Sequence, residues 1–171
     1  SAASDVYKRQ ILFLCTKNSA RSILGEVIAT TISHGKFRGF SAGSKPAKFV
    51  HPIALRIARD LGYPLEALRS KSWDEFGAEG APHMDFIITV CDSAAGGECP
   101  YWPGHAATAH WGFPDPDNAD LSDSAKFEAF KEVEIGLRNR LDLLMDLKFD
   151  TLDHMAIKEY VQSVHHRLKF Q

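Results

Sequence analysis

The chain has 171 residues, enough for one globular domain with an ordinary hydrophobic core. Its apolar fraction of 44% and charged fraction of 25% exclude a disordered or fibrous protein, and a formal net charge of −2 excludes a general attraction to nucleic acid or anionic lipid. No apolar run is long enough to span a bilayer, so we expect no membrane partner. Because of the net charge, we expect no nucleic-acid partner either.

Residues 1–9 lack the apolar stretch of a secretory signal, and we expect a disordered or leftover segment there. A single catalytic domain with a helical C-terminal extension is predicted over residues 10–171, and we expect a monomer. The default compartment is the cytoplasm, where thiols stay reduced. The chain has three cysteines, an odd number that argues against a simple disulfide framework. These cysteines therefore call for a chemical explanation.

Short apolar runs alternate with helical stripes along the chain. The runs predict buried strands at 11–14, 37–42, 84–90 and 108–111. The stripes predict helices at 22–33, 51–61, 127–144 and 151–168. Strands that alternate with helices form right-handed crossovers. The pattern thus predicts an α/β three-layer sandwich, in which helices flank a four-stranded parallel sheet.

Three reactive side chains follow predicted strands. Cys15 follows the first strand, Cys91 the third and Asp115 the fourth. Ligands of such sheets bind beyond the carboxyl ends of the strands. We therefore expect these three side chains to open onto one edge of the sheet.

The segment from Cys15 to Arg21 runs from a buried strand into a predicted helix. Such a loop directs peptide N–H groups inward, and the helix dipole adds positive potential, so an oxyanion and a Cys15 thiolate are both favoured. Arg21 supplies a planar cation that suits two oxygens of phosphate or arsenate. Asn18 and Ser19 can hold the loop, and Ser22 can donate to the sulfur. The strand before and the helix after disfavour the alternative of a merely structural cysteine.

The string Ile-Leu-Phe-Leu-Cys15-Thr-Lys-Asn-Ser-Ala-Arg21-Ser resembles the phosphate-binding loop of low-molecular-weight tyrosine phosphatases and of the arsenate reductases that share their fold. The resemblance continues to about residue 145, through Glu26, Ser41-Ala-Gly, the strand into Cys91 and His110-Trp-Gly-Phe-Pro-Asp115-Pro. It implies that Cys15 is the nucleophile, Arg21 the oxyanion clamp and Asp115 the general acid. The implied oxyanion-binding residues are Thr16, Lys17, Asn18, Ser19, Ala20, Arg21 and Ser22. Lys17 stands where glycine is usual, and Ala20 where a second cysteine often lies.

Asp115 and Asp117 are both candidates for the proton donor. A carboxyl group beside a bound oxyanion can stay protonated and can protonate a leaving oxygen. Both residues qualify on this ground, and the family's Asp-Pro pattern selects Asp115. The alternative is that acidic residues in a proline-rich loop only form turns.

Cys91 and Cys99 distinguish two reactions. Reduction of arsenate needs two electrons, which a dithiol supplies on becoming a disulfide. The resemblance implies a relay in which Cys91 attacks Cys15, Cys99 attacks Cys91, and a thioredoxin-like protein reduces the last disulfide. A glutaredoxin with a low-molecular-weight thiol stays open as the reductant.

The same residues allow three alternatives to a reductase. A phosphatase would need only Cys15 and Asp115, although Asp117-Asn118 stands where phosphatases usually carry aromatic residues. A redox or oxyanion sensor would oxidise its cysteines without turnover. A zinc site from Cys91, Cys99, His105 and His110 is disfavoured by the spacing of its cysteines. We expect no cofactor.

Some relatives bind potassium beside the phosphate-binding loop. Asn18, Glu26 and Ser41 match three of the ligand positions, but the fourth, an acid, falls on Trp73. Lys71 could supply the charge instead, and we do not expect potassium. The helices after Asp120 are interpreted as structural, and residues 165–166, two histidines, as a solvated helix end.

Overall fold

The computed structural model describes residues 8–92, 107–148 and 153–169. Its strands are β1 (Arg9–Cys15), β2 (Phe37–Gly43), β3 (Phe86–Thr89) and β4 (Thr108–His110). Its helices are α1 (Arg21–Ile32), α2 (Pro52–Asp60), α3 (Asp74–Gly77), α4 (Asp123–Met145) and α5 (His154–Lys169), with a 3₁₀ turn at Leu65–Ala67.

The four strands form one parallel sheet in the order β2-β1-β3-β4. Side chains of the central strand β1 alternate between two cores: Ile11 and Phe13 join one, and Leu12 and Leu14 the other. All four are fully buried, because both faces of the sheet are covered. This confirms the prediction of a four-stranded parallel sheet flanked by helices.

The two cores differ in size. The larger contains buried side chains of α1, α2, α4 and α5, and the smaller packs under Trp73 and Phe76, beside and within α3. At the carboxyl edge of the sheet Cys15 pairs with Gly43, and a β-carbon at Gly43 would lie 2.4 Å from the Thr16 carbonyl oxygen. Only glycine permits this close approach of β2 to the loop after β1.

The predicted elements are present, with some shifted boundaries. Strand β1 begins one residue before the predicted domain, β3 is shorter than the predicted 84–90, and α3 was not predicted. The interpretation of both histidines 165–166 as solvated is wrong for His165, which is 6% exposed, because its ring faces α4. The predictions for residues 1–7, and for the loop beyond Asp92, fall outside the described residues. In the ranges that are described, no helix is long and apolar enough to cross a membrane.

Candidate active site

Cys15 is the last residue of β1, and its thiol is buried and not in a disulfide. The backbone N–H of Asn18 donates to Cys15 Sγ over 3.2 Å, and Ser22 Oγ lies 2.8 Å from the same sulfur. Asn18 Nδ2 donates to Ser22 Oγ at 2.8 Å, so the Ser22 hydroxyl accepts from Asn18 and keeps its own hydrogen for the sulfur. Two donors thus converge on the Cys15 sulfur and fix its position in the loop.

The loop after β1 is held open by the segment after β2. Carbonyl oxygens of Cys15, Thr16, Lys17 and Ser19 accept N–H groups from residues 44, 45, 47 and 51 at 2.9–3.3 Å. Because C=O and N–H of a peptide point in opposite directions, carbonyls turned outward leave the loop's N–H groups turned toward the sulfur. Asn18 has a positive φ of 50°, a conformation that asparagine tolerates better than most residues. The predicted anion cradle is therefore built mainly by the backbone.

A buried network lies behind Asn18. Its Oδ1 accepts from the Lys71 backbone N–H at 3.0 Å and from Lys71 Nζ at 3.4 Å. Lys71 Nζ also lies 3.9 Å from Glu26 Oε1, and Glu26 accepts from Ser41 Oγ at 2.7 Å and from the Tyr63 hydroxyl at 2.5 Å. Burial lowers the pKa of Lys71, although Glu26 opposes this effect. Burial, and then Glu26, raises the pKa of Tyr63.

The Lys71 ammonium lies among the residues that the sequence matched to a potassium site. It contacts Asn18 and Glu26, two of the three matching ligand positions, as the sequence suggested it could. A potassium ion here would face this ammonium group at close range, so the residues present do not fit an added cation. The positive charge of this site is therefore supplied by the Lys71 side chain.

One cleft, with a volume of about 250 Å³, brings the predicted residues together. Its lining contains Cys15, Arg21, Cys91 and Asp115, which follow three different strands as predicted. The remaining lining residues are Thr16, Lys17, Ser19, Ala20, Asp92 and Asp117. Asn18 and Ser22, predicted to bind the oxyanion, are buried and lie outside this lining. They support the cradle from behind.

Arg21 opens α1 and connects the two loops of the cleft. Its Nη1 donates to the backbone carbonyl of Phe113 at 2.9 Å. Phe113 lies two residues before Asp115, so the guanidinium is tied to the loop that carries the candidate acid. With one hydrogen bond to the described part of the chain, the guanidinium keeps several N–H groups for an oxyanion.

The two acids of the cleft have different surroundings. Asp117 Oδ1 lies 3.2 Å from both His51 Nε2 and Lys126 Nζ. His51 Nδ1 accepts from the Ile53 N–H at 3.1 Å, so the His51 proton is on Nε2 and is donated to Asp117. Asp115 is exposed, and among the described residues its Oδ1 accepts one turn hydrogen bond, from the Asp117 N–H at 3.0 Å. The other oxygen of Asp115 is left for a ligand in the cleft.

Cys91 lies two residues beyond β3 and is 4% exposed. Unlike Cys15, it is disulfide-bonded. Cys99 and His105, named for the relay and for the zinc alternative, lie outside the described residues. Among the residues that are described, no group of three or more His, Cys, Asp or Glu side chains could hold a metal ion.

Sequence reasoning missed the partners of Asp117 and the cleft position of Asp92. His51 precedes Pro52, the first residue of α2, and a helix-initiating proline was a usable sign that residue 51 caps a helix. Lys126 carried no such sign. It reaches Asp117 only because α4 packs against this side of the sheet.

The chain is similar to several known proteins. Residues 10–154 match the family model described as low molecular weight phosphotyrosine protein phosphatase. The arsenate reductase of Bacillus subtilis (strain 168) is 31% identical over 131 residues, covering 77% of this chain and 91% of that protein. The arsenate reductase of Bacillus licheniformis is 35% identical over 133 residues, covering 77% and 92%. A solved arsenate reductase in the phosphate binding state superposes with a TM-score of 0.61 at 25% identity, covering 80% of this chain and 96% of that one.

Proposed function

The chain belongs to the low molecular weight phosphotyrosine protein phosphatase family, and on that premise we propose that it reduces arsenate to arsenite. The observation that carries the proposal is the shared cleft of Cys15, Arg21, Asp115 and Cys91. A phosphatase needs the first three. A redox reaction gives Cys91, a second cysteine in the lining of the same cleft, a role that hydrolysis does not give it.

The first step is nucleophilic attack on arsenate. Arg21 and the N–H groups of the loop bind the arsenate oxygens, and Cys15 Sγ forms a bond to arsenic. One arsenate oxygen leaves as water with a proton from Asp115, whose exposed carboxyl group borders the cleft. The product is an arsenic(V) adduct on Cys15. The hydrogen bonds from Asn18 and Ser22 hold the sulfur in place for this attack.

The second step transfers the electrons. The thiolate of Cys91 attacks Cys15 Sγ, a sulfur–sulfur bond forms, and the sulfur–arsenic bond breaks with its electron pair on arsenic. Arsenic(V) becomes arsenic(III) and leaves as arsenite, while two thiols become one disulfide. Both sulfurs border one cleft, which supports this step.

The third step regenerates Cys15. Cys99 attacks Cys91, Cys15 leaves as a thiolate, and an external dithiol reduces the remaining disulfide. We propose a thioredoxin-like reductant, a cytoplasmic setting and a monomeric enzyme. A free Cys15 beside a disulfide-bonded Cys91 is the arrangement that the relay leaves before this reduction.

Hydrolysis of phosphomonoesters is the second candidate function. The cradle suits phosphate as well as arsenate, and water could release phosphate from Cys15. Among the described lining residues of the cleft, Asp92, Asp115 and Asp117 are acidic and none is aromatic, so these residues offer an aryl phosphate no ring to stack on. Reduction is therefore the better supported activity.

Arsenate-dependent oxidation of NADPH tests the proposal. The protein is assayed with thioredoxin and thioredoxin reductase, and separately with glutaredoxin and glutathione. We expect turnover that Cys91→Ser and Cys99→Ser both lose, whereas hydrolysis of para-nitrophenyl phosphate survives in both variants. Brisk hydrolysis without NADPH oxidation would establish the phosphatase instead. Reversible thiol oxidation with neither activity would indicate a sensor.

A further inference from the structure

The ring of Phe113 lies in a slot between the two C-terminal helices. A β-carbon on Gly136 of α4 would lie 2.7 Å from Phe113 Cε1, so the ring rests directly on the helix backbone. The Arg140 guanidinium stacks on the ring with its carbon 4.7 Å from the ring centre, and His165 of α5 meets it edge-on at 6.3 Å. The three residues of this Phe113 slot fix the ring from three directions.

A buried arginine such as Arg140 is an unusual residue to line such a slot. It is 7% exposed, and burial lowers its pKa. Its Nε donates to His165 Nδ1 at 3.1 Å and its Nη1 to the Gly136 carbonyl at 2.8 Å. Among the residues that the structure describes, no carboxylate lies within ion-pair distance of this guanidinium. A buried cation without a counter-ion is costly, and a group of this kind that packs on a residue bonded to Arg21 is a candidate for function.

The slot is connected to the cleft through the backbone of Phe113. The Phe113 carbonyl accepts the hydrogen bond of Arg21 Nη1, and Asp115 follows two residues later. In the described part of the chain this is the hydrogen bond that holds the Arg21 guanidinium. Displacement of the ring would move the carbonyl, and the guanidinium would lose its orientation. Misplacement by about 1 Å can cost roughly 100-fold in rate.

Helix α5 is itself fixed on the sheet edge just before Phe113. Trp111 Nε1 donates to the Val161 carbonyl at 2.9 Å. The Gln162 side chain accepts from the His110 N–H at 2.8 Å and donates to the His110 carbonyl at 3.1 Å, as a neighbouring strand would. His165 therefore approaches Arg140 from a helix whose position on β4 is set by hydrogen bonds.

We propose that His165 and Arg140 are positioning residues that, through Phe113, orient Arg21 toward the oxyanion. The inference rests on the proposed function, because it takes Arg21 as the oxyanion clamp. The family match ends at residue 154, so it leaves out nearly all of α5, including His165. The sequence indicated only a structural role for this helix. In this proposal it also influences the orientation of Arg21, through Phe113.

Protection of Cys15 by inorganic phosphate tests the proposal without requiring turnover. The reduced protein is treated with iodoacetamide at increasing phosphate concentrations, and alkylation of the Cys15 peptide is measured by mass spectrometry. His165→Leu removes the acceptor of Arg140, whereas His165→Asn keeps an acceptor close to the Nδ1 position. His166→Leu alters the exposed neighbouring histidine and is the matched control.

We expect His165→Leu to weaken phosphate protection about tenfold and to raise the KM for arsenate more than it lowers kcat. His165→Asn should restore both values, and His166→Leu should match the wild type. Phe113→Leu, which removes the aromatic ring from the slot but keeps Arg140 and His165, should reproduce the loss even if His165→Leu folds poorly. In an Arg21→Lys background, His165→Leu should have no further effect on phosphate, because its influence passes through Arg21.

Two results would overturn the proposal. If phosphate protects the wild type but His165→Leu and Phe113→Leu are protected equally, or if their effects add to that of Arg21→Lys, the positioning role is wrong while the proposed function stands. If phosphate does not protect Cys15 even in the wild type, the oxyanion site fails, and the proposed function and the positioning role fail together.

Discussion

The loop after β1 and the loop after β4 border the same cleft but are fixed by different kinds of contact. In the first, residues 15–19 are held by backbone hydrogen bonds to the segment 44–51, and Cys15 is buried. In the second, residues 113–117 depend on side chains from four helices: Arg21 in α1, His51 at the start of α2, Lys126 in α4 and His165 in α5. Asp115, at its centre, is exposed.

This difference separates two tasks. Cys15, the proposed nucleophile, sits in a preformed cradle that few single side-chain changes can displace. Asp115, the proposed proton donor, sits on a loop whose position depends on several distant side-chain contacts, so single substitutions far from the cleft can move it. We therefore expect substitution of Cys15 in the first loop to abolish activity, and substitutions of the residues that hold the second loop to lower it by smaller amounts.

The largest effect is expected at the sulfur of the first loop. Cys15→Ser should reduce both arsenate turnover and para-nitrophenyl phosphate hydrolysis by about 10⁴-fold or more, since an alcohol in this cradle is a far poorer nucleophile. Steady-state rates for both substrates provide the measurement. Cys99→Ser is the control, because it should lose only arsenate turnover. Hydrolysis above about a hundredth of the wild-type rate in Cys15→Ser would contradict its role as the nucleophile.

The next effect concerns the second loop. Asp115→Asn should lower kcat by roughly 10²–10⁴-fold, the usual contribution of a general acid, with little change in phosphate affinity. Rates for aryl phosphates with leaving groups of decreasing basicity provide the measurement, because a good leaving group needs less protonation. A loss that is equal for all leaving groups would show that Asp115 does not donate the proton.

Lys71→Met tests the support behind the first loop. The substitution leaves the Glu26 carboxylate buried without its cation, so we expect a loss of about 3 kcal/mol in the free energy of unfolding. Urea unfolding provides the measurement, with Lys48→Met, at an exposed lysine, as the control. A loss no larger than that of the control would mean that the Lys71–Glu26 pair does not stabilise the fold.

The same variant gives a pH dependence of known sign. Burial lowers the pKa of Lys71 in the folded protein, so between that pKa and the ordinary lysine value of about 10.4 only the unfolded chain holds the proton. Raising the pH through this alkaline window should stabilise the wild type relative to Lys71→Met. The free energies of unfolding of the wild type and of Lys71→Met are measured at pH 7 and at the alkaline end of the window. If the pKa of Lys71 were not shifted, the difference between the two proteins would be the same at both pH values.

The smallest effect is expected at Asp117. Asp117→Asn weakens the contacts to His51 and Lys126, which are partly exposed, so the free energy of unfolding should fall by about 0.5 kcal/mol. Its kcat should fall far less than that of Asp115→Asn. The reverse order of the two kcat values would identify Asp117 as the proton donor and would change the interpretation of the second loop.

Most of the fold could be predicted from the sequence because its signals are local. The continuous apolar run at 11–14 and its counterpart near 86–89 mark strands buried on both faces, and both are found. Short elements were less predictable. Four-residue α3 was not expected, because so short a helix leaves no periodic stripe.

The sequence by itself was enough to predict the cradle, because its main parts lie within the eight residues from Cys15 to Ser22. The hydrogen bonds that hold it open come from the segment 44–51 and were set by the tertiary structure. Only the tertiary structure decided which acid is free to act, why Lys71 takes the place of an added cation, and how α5 reaches Arg21. Those contacts join residues tens of positions apart, such as Arg21 and Phe113, 92 residues away. Their geometry is set by packing of the sheet and helices, and no local pattern encodes it.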